Sequence, residues 1–148
     1  MGNNVIVIGA GAAGMMAAII AAENGASVTI LEKMPRVGKK LLITGKGRCN
    51  ITNIADIKEL IKNMHGNGSF LYSSFHNFSN NDLIDFFENL GVKTKVERGG
   101  RVFPESDKAI DVVDALLRKM DSLEIRILKD VAVKNIIKED NKVTAVVD

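Results

Sequence analysis

Residues 5–32 read VIVIGAGAAGMMAAIIAAENGASVTILE, and the succession of residue types along that stretch decides the fold. Val5 to Ile8 is a β-branched run too apolar to alternate, the pattern of a strand buried on both faces of a parallel sheet, and its expected place is central. Gly9 to Gly11 ends the run. Ala12, Ala13, Ala17, Ala18, Ala21 and Ala22 then give strong helix propensity and a slim helix that packs close to a sheet, ending near Asn24-Gly25. Ser27 to Leu31 is a second β-branched strand, finishing on Glu32. With turns this tight, only a parallel crossover fits the length.

The same stretch has a competing reading. Val5 to Ala22 is 18 consecutive residues without a charge, the length at which a membrane helix or a signal peptide must be weighed. Met1-Gly2-Asn3-Asn4 carries no Lys or Arg, and Gly9, Gly11 and Gly14 interrupt the middle, so a glycine-broken strand and helix explains it better. Ile6 stands where an N-myristoylation signal requires Ser or Thr. No membrane association is expected.

Gly9-Ala10-Gly11-Ala12-Ala13-Gly14 is a G-x-G-x-x-G, a weak pattern alone. Here it follows a strand, opens a helix, and is followed 18 residues after Gly14 by Glu32 at the end of the next strand, which is the context of a dinucleotide-binding unit. Gly9 suits the tight turn, Gly11 lacks the Cβ that would block a pyrophosphate, and Gly14 lets helix and strand approach. The helix start at Ala12 and Ala13 offers unpaired N–H groups and the positive end of its dipole to the phosphates. Glu32 is suited to a ribose 2′-OH, and its charge disfavours NADP at this site. Lys33 beside it is counted with the cofactor-binding candidates.

Beyond this unit, Pro35 to Asn53 is a Gly- and Lys-rich loop with at most a helical turn near Lys40 to Ile43. Ile57, Leu60, Ile61 and Met64 repeat at helical spacing before Gly66 to Gly68. Ser79 and Asp82 form a capping box for a helix carrying Leu83, Ile84, Phe86, Phe87 and Leu90, closed by Gly91. Lys93 to Glu97 and Arg101 to Phe103 flank Gly99-Gly100 as a hairpin. A helix with Ile110, Val113, Leu116, Leu117 and Met120 on one face follows. Leu123 to Leu128 is the expected third parallel strand, and Val131 to Lys138 with Lys142 to Val147 a hairpin around Asp140-Asn141. The expected organisation is one domain over 1–148: the βαβ unit and cofactor loop over 1–53, a helical excursion over 54–121, and the third strand and a partial meander over 122–148.

Composition narrows the function. The 20 basic and 18 acidic residues leave a formal charge of +2 and a pI near 8.7, too balanced for a nucleic-acid footprint. The single cysteine, Cys49, supports neither an internal disulfide nor a Cys-rich zinc site, so no metal is expected and the cytoplasm is the default compartment. Without a resolving partner, Cys49 is better read as a buried small residue than as a redox thiol. His65 and His76 fall in expected helices away from any motif.

The stretch Gly38-Lys39-Lys40-Leu41-Leu42-Ile43-Thr44-Gly45-Lys46-Gly47-Arg48-Cys49-Asn50-Ile51-Thr52-Asn53 resembles a family of bacterial NAD(P)/FAD-dependent oxidoreductases that includes aminoacetone-oxidase-like and BaiN-like flavoproteins. The family pattern is G-[RK]-K-L-L-x-[ST]-G-G-G-R-C-N-x-T-N, and Lys46 replaces its middle Gly. Gly100-Arg101-Val102-Phe103-Pro104-Glu105-Ser106-Asp107-Lys108-Ala109 is a further match. By their chemistry alone, Lys40, Arg48 and the N–H groups of Gly45 to Gly47 suit a diphosphate, with Thr44 and Asn50 as neutral hydrogen-bonding groups; a Lys-rich surface loop is the plainer reading of the same residues. The resemblance implies that the loop, Cys49 included, wraps FAD, and that Val133 offers backbone groups to the adenine.

The expected whole is an α/β Rossmann-like FAD-binding domain of glutathione-reductase type, three-layered, with a parallel sheet, a helical excursion and a β-meander. It is the FAD-binding portion of a flavin-dependent oxidoreductase with NAD(P)H as a candidate electron donor and an unidentified small-molecule substrate. The alternatives are a non-enzymatic nucleotide-binding fragment and an NAD-dependent dehydrogenase module. No side chain is assignable as acid, base or nucleophile, so catalytic residues are unknown. Members of the family are longer, which implies C-terminal truncation, an inactive isolated chain, and self-association through exposed apolar surface.

Overall fold

A computed structural model describes residues 3–140 and 142–147. In chain order the elements are β1 (Asn4–Ile8), α1 (Ala12–Glu23), β2 (Ser27–Glu32), α2 (Lys39–Ile43), β3 (Thr52–Asn53), α3 (Ile57–Lys62), α4 (Tyr72–Asn77) and α5 (Asn80–Asn89). They continue as β4 (Thr94–Glu97), β5 (Arg101–Pro104), α6 (Ala109–Ser122), β6 (Arg126–Lys129), β7 (Asn135–Glu139) and β8 (Lys142–Val147), with 3₁₀ turns at Thr44–Gly47 and Gly68–Leu71. The chain divides into two units, Met1–Leu41 with Leu116–Asp148, and Leu42–Ala115.

The first unit is built on a parallel sheet of order β1-β2-β6, registered Val7 to Ile30 and Ile30 to Ile127. The expected crossover is present, but among the described residues β1 stands at an edge of the sheet rather than at its centre. β2 has a strand on each side and buries Val28 and Ile30, whereas Ile6 and Ile8 of β1 are about half exposed, at 50% and 51%. An apolar run reports how much cover a strand favours and says nothing about how many strands flank it. The helix α1 covers the other side of β1 with Met15, Ala18 and Ile19 fully buried. Its C-cap is Asn24, whose Nδ2 donates to the Ile20 carbonyl at 2.8 Å while the Gly25 N–H, at φ +84°, donates to Ala22. Lys119 of α6 pairs with Glu23 at 2.6 Å.

The third strand starts at Arg126 rather than Leu123. Leu123, Glu124 and Ile125 donate backwards to Met120 and Asp121 and close α6, with Glu124 at φ +56°, so the helix end overrides their strand propensity. The final hairpin pairs Ile136 with Val146 and carries an irregularity at Ile137/Lys138. Asn141 of its expected turn lies outside the described residues. Val131 to Val133, expected in the hairpin, instead form a connector whose Val131 N–H donates to the Glu32 carbonyl, while the Lys134 N–H does donate to Val147 across the hairpin. Among the described residues no helix is long and apolar enough to cross a membrane.

The second unit has an antiparallel sheet of order β3-β5-β4 carrying the expected hairpin across Gly99-Gly100. The Ser79–Asp82 capping box is present in both directions, and the Ser79 bonds hold the Asp82 carboxyl below its ordinary range. The helix α3 stops at Lys62, so Met64 lies beyond it, 36% exposed, and His65 sits in a bend rather than a helix. Gly68 fits there because an added Cβ would lie 2.3 Å from the Ile61 carbonyl oxygen. The helix α4 holds His76, as expected, although its bounds had no signal of their own in the sequence.

Candidate functional site

The first group of candidate residues surrounds the turn between β1 and α1. Gly9 adopts φ +97° and donates to the Leu31 carbonyl at 2.7 Å, which fastens the turn to β2. A Cβ on Gly14 would lie 1.9 Å from the Gly9 carbonyl oxygen and 3.4 Å from Val7, so the crossing of helix and strand requires a glycine. Gly11 differs. It is extended at φ −83°, ψ −177°, caps α1 with no side-chain hydrogen bond, and has nothing within 4 Å of where a Cβ would stand. Gly11, Ala12 and Ala13 are exposed. The first turn of α1 therefore presents its N–H groups and positive dipole end to open space.

Glu32 closes one side of this opening. Although only 9% of its surface is exposed, both carboxylate oxygens are engaged: Oε2 accepts from the Ala10 N–H at 2.7 Å and Oε1 from the Met34 N–H at 2.8 Å. The side chain thus binds the turn to the end of β2. A carboxylate has about four acceptor positions, so these two bonds leave lone pairs for a hydroxyl. The bond from Ala10 had no signal of its own in the sequence. Lys33 and Lys40 are exposed, and Val133 lies half-buried in the connector between β6 and β7.

The second group lies in the other unit. Gly45 and Lys46 are consecutive left-handed residues, at φ 56° and 59°, and Cys49 follows at φ 62°. Lys46 thus occupies a conformation that favours the glycine of the family pattern. Cys49 is 1% exposed and donates its N–H to the Thr44 carbonyl at 3.0 Å. Burial pushes its thiol upward, with a Thr44 hydrogen bond opposing. This is the inert environment of a small core residue rather than that of an activated thiol. Asn50 is exposed; with its amide turned so that nitrogen donates, it bonds the Thr52 and Val102 carbonyls at 3.0 and 3.2 Å.

Arg48 is occupied within the chain. Nη1 and Nη2 donate to Glu97 at 2.8 and 3.3 Å, Nη1 also meets Asp107 at 3.2 Å, and the guanidinium lies 4.2 Å from the centre of the Phe103 ring. The Glu97 hydrogen bond, more than any other contact, holds the guanidinium above its ordinary value. The Arg48 Nη donors, offered to a diphosphate on sequence grounds, are engaged by carboxylates. Glu97, Asp107 and Phe103 were not singled out as its partners, although two of them lie in the GRVFPESDKA stretch that carries the second family match.

The family profile described as the HI0933-like protein Rossmann domain matches residues 3–148. The 3-dehydro-bile acid delta(4,6)-reductase of Clostridium scindens is 38% identical over 135 residues, 89% of this chain and 32% of that protein. A ribosomal RNA dihydrouridine synthase of Haemophilus influenzae is 32% identical over 142 residues, 93% of this chain and 34% of that protein. The chain thus spans about a third of the length of these curated relatives. Among solved structures, the 3-ketosteroid-delta4-(5alpha)-dehydrogenase of Rhodococcus jostii RHA1 has a TM-score of 0.72 over 97% of this chain and 41% of its own, at 16% identity. That likeness is one of fold.

Proposed function

The chain belongs to the HI0933-like Rossmann-domain family, and on that premise we propose that it holds the ADP half of FAD as the FAD-binding portion of a flavin-dependent oxidoreductase. The observation that carries the proposal is the opening before α1: exposed first-turn residues, clear space at Gly11, and a carboxylate at the end of the adjoining strand. These fit a dinucleotide. Gly9 and Gly14 shape the turn, Gly11, Ala12 and Ala13 face the pyrophosphate, and Glu32 takes the ribose hydroxyl with Lys33 at the rim. Lys40, Thr44, Cys49 and Asn50 belong to the loop assigned to the rest of the cofactor, where Cys49 contributes through the backbone it holds. Val133 serves the adenine through its backbone.

When bound, FAD supplies the redox chemistry. NAD(P)H is the proposed donor, and the substrate is a small molecule bound by parts of a longer protein. The chain alone is proposed to bind without turnover, with residues 1–53 carrying most of the cofactor contacts, 54–121 the excursion and 122–148 the partial meander. Self-association is supported by the half-exposed Ile6 and Ile8, and a cytoplasmic setting by the single buried cysteine.

Titration with FAD and ADP tests the reading. Gly11→Ala keeps the fold, since no atom stands in the way of the new Cβ, and weakens both ligands at least about tenfold, or about 1.4 kcal/mol. Undiminished affinity in a folded variant would remove this turn from the site. A ligand carrying a 2′-phosphate is expected to bind more weakly than ADP, and Glu32→Gln to narrow that difference.

A further inference from the structure

We propose that Arg48 is a positioning residue: with Glu97, Asp107 and Lys95 it forms an ion-paired clamp that fixes the 44–49 loop, with Lys46 and Cys49 left-handed, before any cofactor binds. The inference rests on the reading above only in assuming that this loop lies against the flavin side of FAD.

The loop needs such a device. Lys46 and Cys49, one on each side of Arg48, and Asp107 among its partners are non-glycine residues at φ 59°, 62° and 58°. Side chains avoid that region, and residues persist in it where the surroundings over-determine them. The surroundings here are specific. Phe103, 1% exposed, sits 3.0 Å from the Cβ position of Gly45 and carries the Arg48 guanidinium on its face. Glu97 grips that guanidinium with both oxygens, Asp107 adds a third contact, and Lys95 takes the other Asp107 oxygen. A planar fork held by a bidentate carboxylate and a ring has one orientation, which a flexible ammonium would lack.

Charge distinguishes the clamp from an anion site. Both Nη groups of Arg48 and the Lys95 ammonium are engaged by Glu97 and Asp107, and the further cation, Arg101, reaches Glu97 only at 4.0 Å. The side chains of Arg48 and Glu97 are 34% and 27% exposed, so screening limits what each pair adds to stability. Geometry is what the arrangement secures. Contacts that link Arg48 to residues 49 and 59 positions away tie the loop to the hairpin and to the turn after it.

Cys49 makes the clamp measurable, because it is the chain's single cysteine and is buried behind the loop. Thiol labelling with an aromatic disulfide reagent, without cofactor, is expected to be slow in the wild type and at least about tenfold faster in Glu97→Gln and Arg48→Met. Arg101→Gln, whose pair with Glu97 is long at 4.0 Å, should label like the wild type. The variants should bind FAD more weakly while ADP affinity stays unchanged, a split that general destabilisation would not produce. Arg48→Lys should label nearly as fast as Arg48→Met, because an ammonium cannot reproduce the bidentate fork on Glu97.

Unchanged labelling in both clamp variants overturns the proposal. So does tighter FAD binding in Glu97→Gln, the result expected if Arg48 were a phosphate ligand held back by Glu97. Wild-type protein that binds neither FAD nor ADP would instead refute the cofactor reading, and the labelling rates would still decide the clamp.

Discussion

The two glycine-bearing loops of this chain are held in opposite ways. The turn at 9–14 is shaped by missing side chains: Gly9 is left-handed, Gly14 lies where a Cβ would strike the backbone, and Gly11 faces open space. The loop at 44–49 is shaped by side chains that are present, with Lys46 and Cys49 in left-handed conformations on either side of an arginine bound to distant carboxylates. The first loop owes its form to its own residues and one nearby glutamate. The second borrows it from a hairpin. A local motif therefore describes the first almost fully and the second only in part.

The contrast breaks most easily at Gly14. An alanine there meets backbone oxygen at 1.9 Å, and the cost should be about 3 kcal/mol or more, seen as a large fall in the urea midpoint. A normal midpoint would mean that the turn tolerates bulk and is not shaped by its absence. Gly45→Ala is expected to cost less, about 2 kcal/mol, because the neighbours of the new Cβ include the movable Phe103 ring at 3.0 Å, although φ +56° and the Asn50 nitrogen at 3.1 Å remain unfavourable.

The next test reverses the sign. Lys46→Gly should stabilise the chain by up to about 1 kcal/mol, since relief of about 1–2 kcal/mol of left-handed strain exceeds glycine's added backbone entropy of about 0.5–1 kcal/mol. Destabilisation would show that the lysine side chain makes a contribution of its own. The smallest effect concerns Asp107. The Lys95 hydrogen bond first, with Arg48 contributing, holds its carboxyl below the usual 3.8. A depressed carboxyl adds stability that is fully present above pH 3.8 and is lost as pH falls through the lower folded value. The wild type should thus exceed Asp107→Asn in urea midpoint at pH 6, and the gap should shrink below pH 3.8.

The same contrast explains what could be read from the sequence. The crossover, the GAGAAG turn with Glu32, and the Ser79–Asp82 cap were legible because their partners are close in sequence or follow from a single strand and helix. The place of β1 was not, because Val5 to Ile8 carry no record of their neighbours. The bounds of α4 were not legible because Tyr72–Asn77 is short and holds Ser73, Ser74 and Asn77, residues that compete with helical backbone bonds. The engagement of Arg48 was hidden for a third reason: nothing near it in sequence indicates that Glu97 and Asp107 would reach it.

The C-cap of α1 bears on how the protein ages. Asn followed by Gly is the peptide step least hindered toward succinimide formation, the route by which asparagine becomes aspartate or isoaspartate. In the fold, Asn24 and Gly25 are guarded, the amide tied to Ile20 and the Gly25 nitrogen engaged with Ala22. An unfolded chain loses both restraints. Deamidation there would replace a donor with a carboxylate facing a carbonyl oxygen at the negative end of the α1 dipole. Chains damaged while unfolded would then return to a helix whose last turn repels its own cap, so storage in denaturant should erode refolding yield faster than storage in the native state.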